Sequence, residues 1–249
     1  KWQSTIFPGL VGRPVQLRGV EQGLDQIRAL NNYSANMNID AGAAVGESIL
    51  SVDAKSDRPW KVKYSSNSHG VKATGKYASA LDMSYDNALG LAEQLDFGLT
   101  KTMRGPLNLG YSGDGNQSAS LGLTIPYGKW TFAGSFDYST YFQQIDGIYT
   151  PIPVSGHART ISYDAKRLLY RDQDSKVWTS FGLNLTNSRN FINNTLIPSS
   201  SRKLSIANLQ FSFERAMWQG QVKGSAKLEK GLKAFGAEDF AQQPVNQPN

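Results

Sequence analysis

Apolar residues recur along this chain with two different periods, and the change from one to the other divides it. Leu17, Val20, Leu24, Ile27 and Leu30 are spaced by three and four, the helical period, with Pro14 expected in the first turn and Asn31 and Asn32 expected to stop the helix. From Asn36 the pattern alternates: Met37 and Ile39 fall on one side, and Asn36, Asn38 and Asp40 on the other. After "AGAAVG" comes a second extended run, "ESILSVDA". A helix and a hairpin are too small to bury a core alone, so residues 1–57 are expected to be part of a small α+β domain.

From Arg58 onward the period of two dominates. Nine extended segments are predicted, at roughly 59–67, 75–86, 94–103, 117–126, 130–143, 157–171, 177–192, 201–215 and 219–230. Most approach the nine to eleven residues that a tilted strand needs to cross a bilayer, and several are longer. The fifth is the clearest, with Trp130, Phe132, Phe136, Tyr138 and Phe142 on one face and Thr131, Ser135, Asp137, Ser139 and Gln143 on the other. The third sets Leu95, Phe97 and Leu99 against Gln94, Asp96 and Thr100, and the seventh sets Val177, Phe181, Leu183 and Leu185 against Ser180, Asn184 and Thr186. The alternation falters near "KRLLYR" and again between Ile206 and Leu209, where a β-bulge is one explanation.

Connection lengths add an independent signal. "NALGLAE", "YGK", "RDQDSK" and "AMWQ" are short, whereas "RGPLNLGYSGDGN", "IDGIYTPIPVSG" and "FINNTLIPSS" are longer and rich in Gly, Pro, Asn and Ser. Antiparallel strands bring every second connection to the same side, so the tight turns gather at one rim and the long loops at the other, as in outer-membrane barrels. Trp60, Tyr64, Tyr85, Trp130, Tyr170, Trp178 and Trp218 lie near strand ends and fit aromatic girdles at the two membrane interfaces. A soluble β-sandwich also accounts for alternation and for alternating loops, and at this level both architectures stay open.

Composition narrows the chemistry. No stretch reaches the apolar run required for a membrane helix, and the mean hydropathy of -0.41 is low, but a barrel dilutes its average because only alternate residues meet lipid. The net charge of +6 is scattered through the strands rather than gathered into a basic run, so nucleic acid is not an expected partner. With no cysteine there is neither a disulfide framework nor a thiolate zinc site. His69 and His157, both in Gly/Ser-rich surroundings, are expected in solvated loops rather than in a metal centre. "GYSGD" at Gly110 begins like a nucleophile elbow and fails at Asp114, and "RDQDSK" lacks the glycine and glutamate of a calcium loop. Ser155 and His157 are near neighbours, but proximity in sequence is not a catalytic pair. No cofactor, no metal and no enzymatic activity are expected.

Three ordered segments carry a resemblance: "FPGLVGRPVQLRGVEQGLDQIRAL", then "MNIDAGAAVGESIL", then "RPWKVKYSSNSHGVKATGKYASALDMSYDNALGLAEQLDFGL". They resemble the outer-membrane transporters of two-partner secretion systems. In that family a periplasmic polypeptide-transport-associated (POTRA) domain leads into a sixteen-stranded barrel. "LRGVEQGLDQIRAL" is similar to the domain's second helix and "GESILSVDA" to its last strand; "ATGKYASALDMSYDNALGLAEQ" resembles a family signature, with Ala88 in place of the usual proline. "GHARTISYDAKRLLYRDQDSK", "SRNFINNTLIPSSSRKLS" and "KGLKAFGAED" follow in the family's order. "LRG" at Leu17–Gly19 only echoes the family's inward-folded loop motif, because it lies in the predicted helix.

The resemblance implies a fold and a function. Residues 1–57 would be the C-terminal part of a POTRA domain and 58–249 the N-terminal part of a transmembrane barrel, with further strands following. The protein would be monomeric, would sit in the bacterial outer membrane with its POTRA part in the periplasm, and would contact outer-membrane lipid. It would export a large partner protein of haemolysin, filamentous-haemagglutinin or contact-dependent inhibition toxin type, recognised through the partner's N-terminal secretion domain. An extended client can add to a free strand edge beside a helix groove, and this reading places partner binding on Glu21, Leu24, Asp25, Arg28, Asn36, Met37, Asn38 and Ile39. Leu24 and Ile27 have a plainer reading, as packing beneath the hairpin. A soluble all-β binding module and a passive porin-like barrel are the alternatives.

Overall fold

The computed structural model of the chain describes residues 2–10, 12–56, 58–70, 74–103, 115–218 and 220–238. Two helices lead, α1 (Trp2–Ile6) and α2 (Leu17–Arg28). Strands β1 (Tyr33–Ala41) and β2 (Ser48–Ser56) then form an antiparallel hairpin that pairs Met37 with Val52 and Ile39 with Leu50. The apolar stripe of α2 packs against this hairpin: Leu24, Ile27, Leu30 and Ala35 are buried together with Ile6, and Tyr33, Met37, Val52 and Ala54 surround them. Two local expectations change. Pro14 lies ahead of the helix, because the chain is still extended at Gln16. Ile39 is 47% exposed, since the cluster that covers Met37 does not reach it.

The rest of the described chain is one antiparallel meander. Its strands are β3 (Trp60–Asn67), β4 (Tyr77–Asp86), β5 (Gln94–Met103), β6 (Gly115–Tyr127), β7 (Trp130–Ile145), β8 (Ile152–Arg171), β9 (Ser175–Ile192), β10 (Thr195–Leu196), β11 (Arg202–Met217) and β12 (Gly220–Gly231). Each long strand pairs with its neighbours in the sequence, while the two-residue β10 folds back onto the end of β9. β8 begins at Ile152 rather than His157, because Val154, Ser155 and Gly156 continue the ladder against β7. His157 is therefore a strand residue, with its ring 6.5 Å from Tyr138 and 5.9 Å from Phe191, and not a loop residue.

Register shows what the alternation does. Val62, Met83, Phe97, Leu121, Phe136, Ile161 and Leu185 are successive lateral partners across the sheet. The first six are between 37% and 53% exposed, and among the described residues no second sheet lies over them, as a sandwich would require. The opposite face carries a row running Lys63, Asp82, Gly98, Ser120, Asp137, Thr160 and Thr186. Every carboxylate of these strands, Asp82, Asp86, Asp96, Asp137, Asp164, Glu214 and Glu229, takes that polar face; one lateral row runs from Asp86 through Asp164 to Glu229.

The two faltering stretches resolve differently. At "KRLLYR" Leu169 is an extra residue: Leu168 pairs with Trp178 and Tyr170 with Val177, so the bulge buries Leu168 on the polar side and turns Tyr170 to the apolar side. Between Ile206 and Leu209 the ladder is unbroken on both sides of β11, and Ile206 simply faces the polar side beside Asn184. Trp178 also departs from expectation. It lies on the polar face with the Lys166 ammonium 4.8 Å from its ring centroid, and so belongs to no outer girdle. The turns β4–β5, β6–β7, β8–β9 and β11–β12 gather at one rim, and the longer described connections, β7–β8 and β9–β11, at the other. Most of the expected β5–β6 loop and the "GYSGD" motif lie outside the described residues.

The face assignment predicts an asymmetry in lipid. Phe136→Arg is expected to cost about 2–4 kcal/mol near the bilayer midplane, whereas Ser135→Arg on the polar side costs little. Reversible unfolding in lipid vesicles measures both, and equal costs would contradict the assignment.

Candidate functional site

Helix α2 opens with polar residues between its apolar ones, and Glu21 and Asp25 sit one turn apart on the same side. That side does not face solvent alone. Arg171, at the end of β8, donates from Nη1 to Asp25 Oδ2 at 2.6 Å and to Gln22 Oε1 at 3.3 Å, and from Nε to Glu21 Oε2 at 3.4 Å. Lys176, its lateral partner at the start of β9, donates to the same Asp25 oxygen at 2.7 Å. The Arg171 side chain is only 12% exposed. A guanidinium so far out of water must be matched by good hydrogen-bond acceptors, and here the acidic edge of α2 supplies them.

Two more contacts fix the helical segment to the same rim. Gln26 is buried and donates from Nε2 to the carbonyls of Gly128 (2.7 Å) and Trp130 (3.4 Å) in the β6–β7 turn. The Gly128 N–H donates to Thr5 O at 2.8 Å, and Thr5 Oγ1 donates to Leu91 O in the β4–β5 turn at 2.9 Å. Gly128 has φ +56 and a Cβ there would stand 2.8 Å from Pro8 Cγ, so both the backbone and the approach of the N-terminal segment require glycine. Ala92 of the β4–β5 turn completes the helical core. The turn is itself set by Glu93, wholly buried, whose carboxylate accepts the Leu91 N–H at 2.9 Å while Asn87 Oδ1 accepts that of Ala92 at 2.9 Å.

Three successive short turns thus grip α1 and α2, and α2 stands over the polar face. A cleft of about 210 Å³ between them is lined by Asp25, Gln26, Lys129, Lys166, Lys176 and Trp178, among others. Partial burial disfavours the charged form of Asp25, but the hydrogen bonds and positive charges of Arg171 and Lys176 outweigh it and hold the carboxyl below its ordinary value of 3.8.

The residues expected to bind a partner are dispersed over this arrangement. Leu24 is 5% exposed and belongs to the core. Glu21 and Asp25 are engaged by Arg171 and Lys176. Arg28 donates from Nε and Nη2 to the Ala35 carbonyl at 3.0 and 2.7 Å. Asn36, Asn38 and Ile39 are exposed along β1, whose only pairing among the described residues is with β2, and Met37 is half-buried against the core. Arg171 and Lys176 were not singled out from the sequence, although two cations flanking a turn, and an acidic pair on α2, are complementary.

The sequence matches, over residues 46–249, the family described as haemolysin secretion/activation protein ShlB/FhaC/HecB. It is 29% identical over 236 residues to an outer membrane transporter CdiB-2 of Burkholderia pseudomallei, covering 95% of this chain and 40% of that protein. It is 25% identical over 239 residues to the hemolysin transporter protein ShlB of Serratia marcescens, covering 95% and 42%. Among solved structures, CdiB from Escherichia coli superposes with a TM-score of 0.89 at 24% identity, covering 99% of this chain and 45% of that one. CdiB from Acinetobacter baumannii gives 0.77 at 20% identity, covering 93% and 43%. The chain spans about two fifths of the length of the curated relatives it matches, and the two structures establish the fold: a POTRA region followed by barrel strands.

The ion-paired junction has a predicted pH dependence. A carboxyl held below its ordinary value stabilises docking fully above pH 3.8 and loses that contribution as the pH falls through the lowered value. The protection of α2 amides against exchange, relative to the intrinsic rate at each pH, should therefore hold down to about pH 4 and fall below it, and Arg171→Ala should lower it already at neutral pH. Exchange in α2 that ignores both would show that the pair does not hold the helix.

Proposed function

The chain belongs to the ShlB/FhaC/HecB family of haemolysin secretion/activation proteins, and from that premise we propose that it forms part of an outer-membrane transporter that exports a large partner protein by two-partner secretion. Residues 1–57 supply the periplasmic POTRA part and 58–249 the first strands of the barrel. The curated relatives named above are transporters of the outer membrane or of haemolysin. No catalytic step is part of this function; the work is recognition and conduction.

One observation carries the reading: the helix–hairpin unit is clamped to the short-turn rim with α2 over the polar face, and its strand β1 pairs, among the described residues, with β2 alone. A client segment adding to the other edge of β1 would gain main-chain hydrogen bonds that do not depend on its side chains, as export of a long and varied polypeptide needs. Arg28 already occupies the Ala35 carbonyl, so pairing would run from Asn36 through Met37 and Asn38 to Ile39. Glu21 and Asp25 act by holding α2 to the barrel, and Leu24 by supporting the hairpin from beneath. From there the client would follow the polar face, where the carboxylates and hydroxyls of the strands bind water and leave an unfolded chain little apolar surface to adhere to.

A photoreactive residue at Asn38 or Ile39 of the full-length protein, expressed with its client, should capture the client's N-terminal secretion domain, and the same residue at Leu228 on the apolar face should not. Continued secretion with no adduct at Asn38 or Ile39 would remove β1 from the path.

A further inference from the structure

Charge is distributed over the outward, apolar face in a way that export does not explain. Every carboxylate of strands β3–β12 takes the inward face, so every formal charge that these described strands place on the outward face is basic. On β8 the outward cations are Arg159 and Arg167, with Ala165, Tyr163 and Ile161 between them. Eight residues at about 3.3 Å each, tilted by about 40°, separate the two by about 20 Å along the membrane normal, close to the height of a barrel's apolar band. Both arginines therefore sit at the edges of the hydrocarbon, where a charge on the lipid face is inexpensive.

The edge near the long loops is the richer one. Arg159 lies laterally beside Asn187, which pairs with Lys203, and His157 lies beside Arg189. Arg159, Arg189 and Lys203 are exposed, and none is ion-paired to a carboxylate among the described residues. His157, Arg159, Asn187 and Arg189 line a concavity of about 90 Å³. Aromatic rings pack against its lining: the Arg159 guanidinium lies 5.7 Å from the Tyr138 ring centroid, and the His157 ring lies 6.5 Å from that of Tyr138 and 5.9 Å from that of Phe191. Arginine forks present paired N–H donors that match phosphate oxygens, and among the described residues no carboxylate ion-pairs with this cluster beside lipid.

We infer that Arg159, Arg189 and Lys203 form a binding site for the phosphate groups of an outer-leaflet glycolipid. The long-loop rim is the one away from the periplasmic helices, so in the bacterial outer membrane it meets the leaflet built from phosphorylated lipid A. The site fixes the height and orientation of the barrel in that leaflet, and Asn187 offers its amide to the sugar or phosphate held between the cations. The inference rests on the outer-membrane placement proposed above but not on the identity of the client, so binding of lipid and export of client can fail separately.

The full-length protein, purified in non-ionic detergent, is titrated with lipid A and the bound lipid is counted by native mass spectrometry. The triple variant R159Q/R189Q/K203Q should bind lipid A at least about tenfold more weakly than the wild type. R167Q, at the opposite edge, should bind as the wild type does, and R159K/R189K, which keeps the charge, should bind within a few-fold of it. Enzymatically dephosphorylated lipid A should bind the wild-type protein as weakly as lipid A binds the triple variant. Equal binding by the wild type and the triple variant, an equal loss in R167Q, or undiminished binding of dephosphorylated lipid would overturn the inference. Displacement of lipid A by millimolar inorganic phosphate would make this a free-phosphate site and would overturn its assignment to lipid. Should the triple variant fail to fold, the single variants R159Q and R189Q carry the same comparison.

Discussion

A hydrocarbon layer offers no hydrogen bonds, and this one condition governs most of what the chain does. A backbone N–H or C=O left unpaired there costs several kcal/mol, so each strand must be matched along its whole length by a lateral neighbour. The unbroken ladders of β11 with β9 and β12, and of β7 with β6 and β8, meet that demand. The same condition sorts the side chains. Where lipid lies on one side and water on the other, a period-two polypeptide sorts its side chains by face, and the confinement of every described carboxylate of strands β3–β12 to one face is the sharpest expression of it.

The helix–hairpin unit obeys a different solvent, and the junction is where the two regimes meet. Its core is an ordinary aqueous one, with Leu24, Ile27 and Leu30 under Ala35 and Met37, but it is closed partly by Ala92 from a barrel turn. Polar contacts bind the rest: Arg171 and Lys176 hold Asp25, Gln26 holds the β6–β7 turn, and Thr5 bridges to Leu91. Hydrogen bonds and ion pairs at a wet rim can be exchanged for bonds to water or to a client at moderate cost, whereas an apolar seam would have to be torn open. In the transporter proposed above, which would admit a polypeptide beside its periplasmic part, such a junction could open without tearing a core.

How much of this was legible follows from the range of each interaction. Strand positions depend on alternation within a few residues, and the segments from 94–103 and 130–143 to 177–192 were readable directly; β8 was read short because Pro153 and Gly156 look like loop residues while the ladder against β7 carries them. The bulge at Leu169 was visible as a broken alternation, yet the same symptom at Ile206 meant only an apolar residue facing inward, since local pattern cannot tell a shift of phase from an exception. The sequence pattern alone does not place Trp178, because an aromatic near a strand end looks alike on either face. The junction was not legible, because Asp25 and Lys176 are 151 residues apart and only the topology brings them together.

The central claim is that hydrocarbon lies outside and water inside, and nitroxide scanning along residues 130–142 of β7 tests it most directly. In the full-length protein in bilayers, labels at even positions should be relaxed by dissolved oxygen and labels at odd positions by a water-soluble nickel chelate, alternating residue by residue. Oxygen and nickel accessibilities that run parallel, or even positions shielded from both, would mean that the rings of Phe132, Phe136 and Tyr138 face protein rather than lipid, and the account would be wrong.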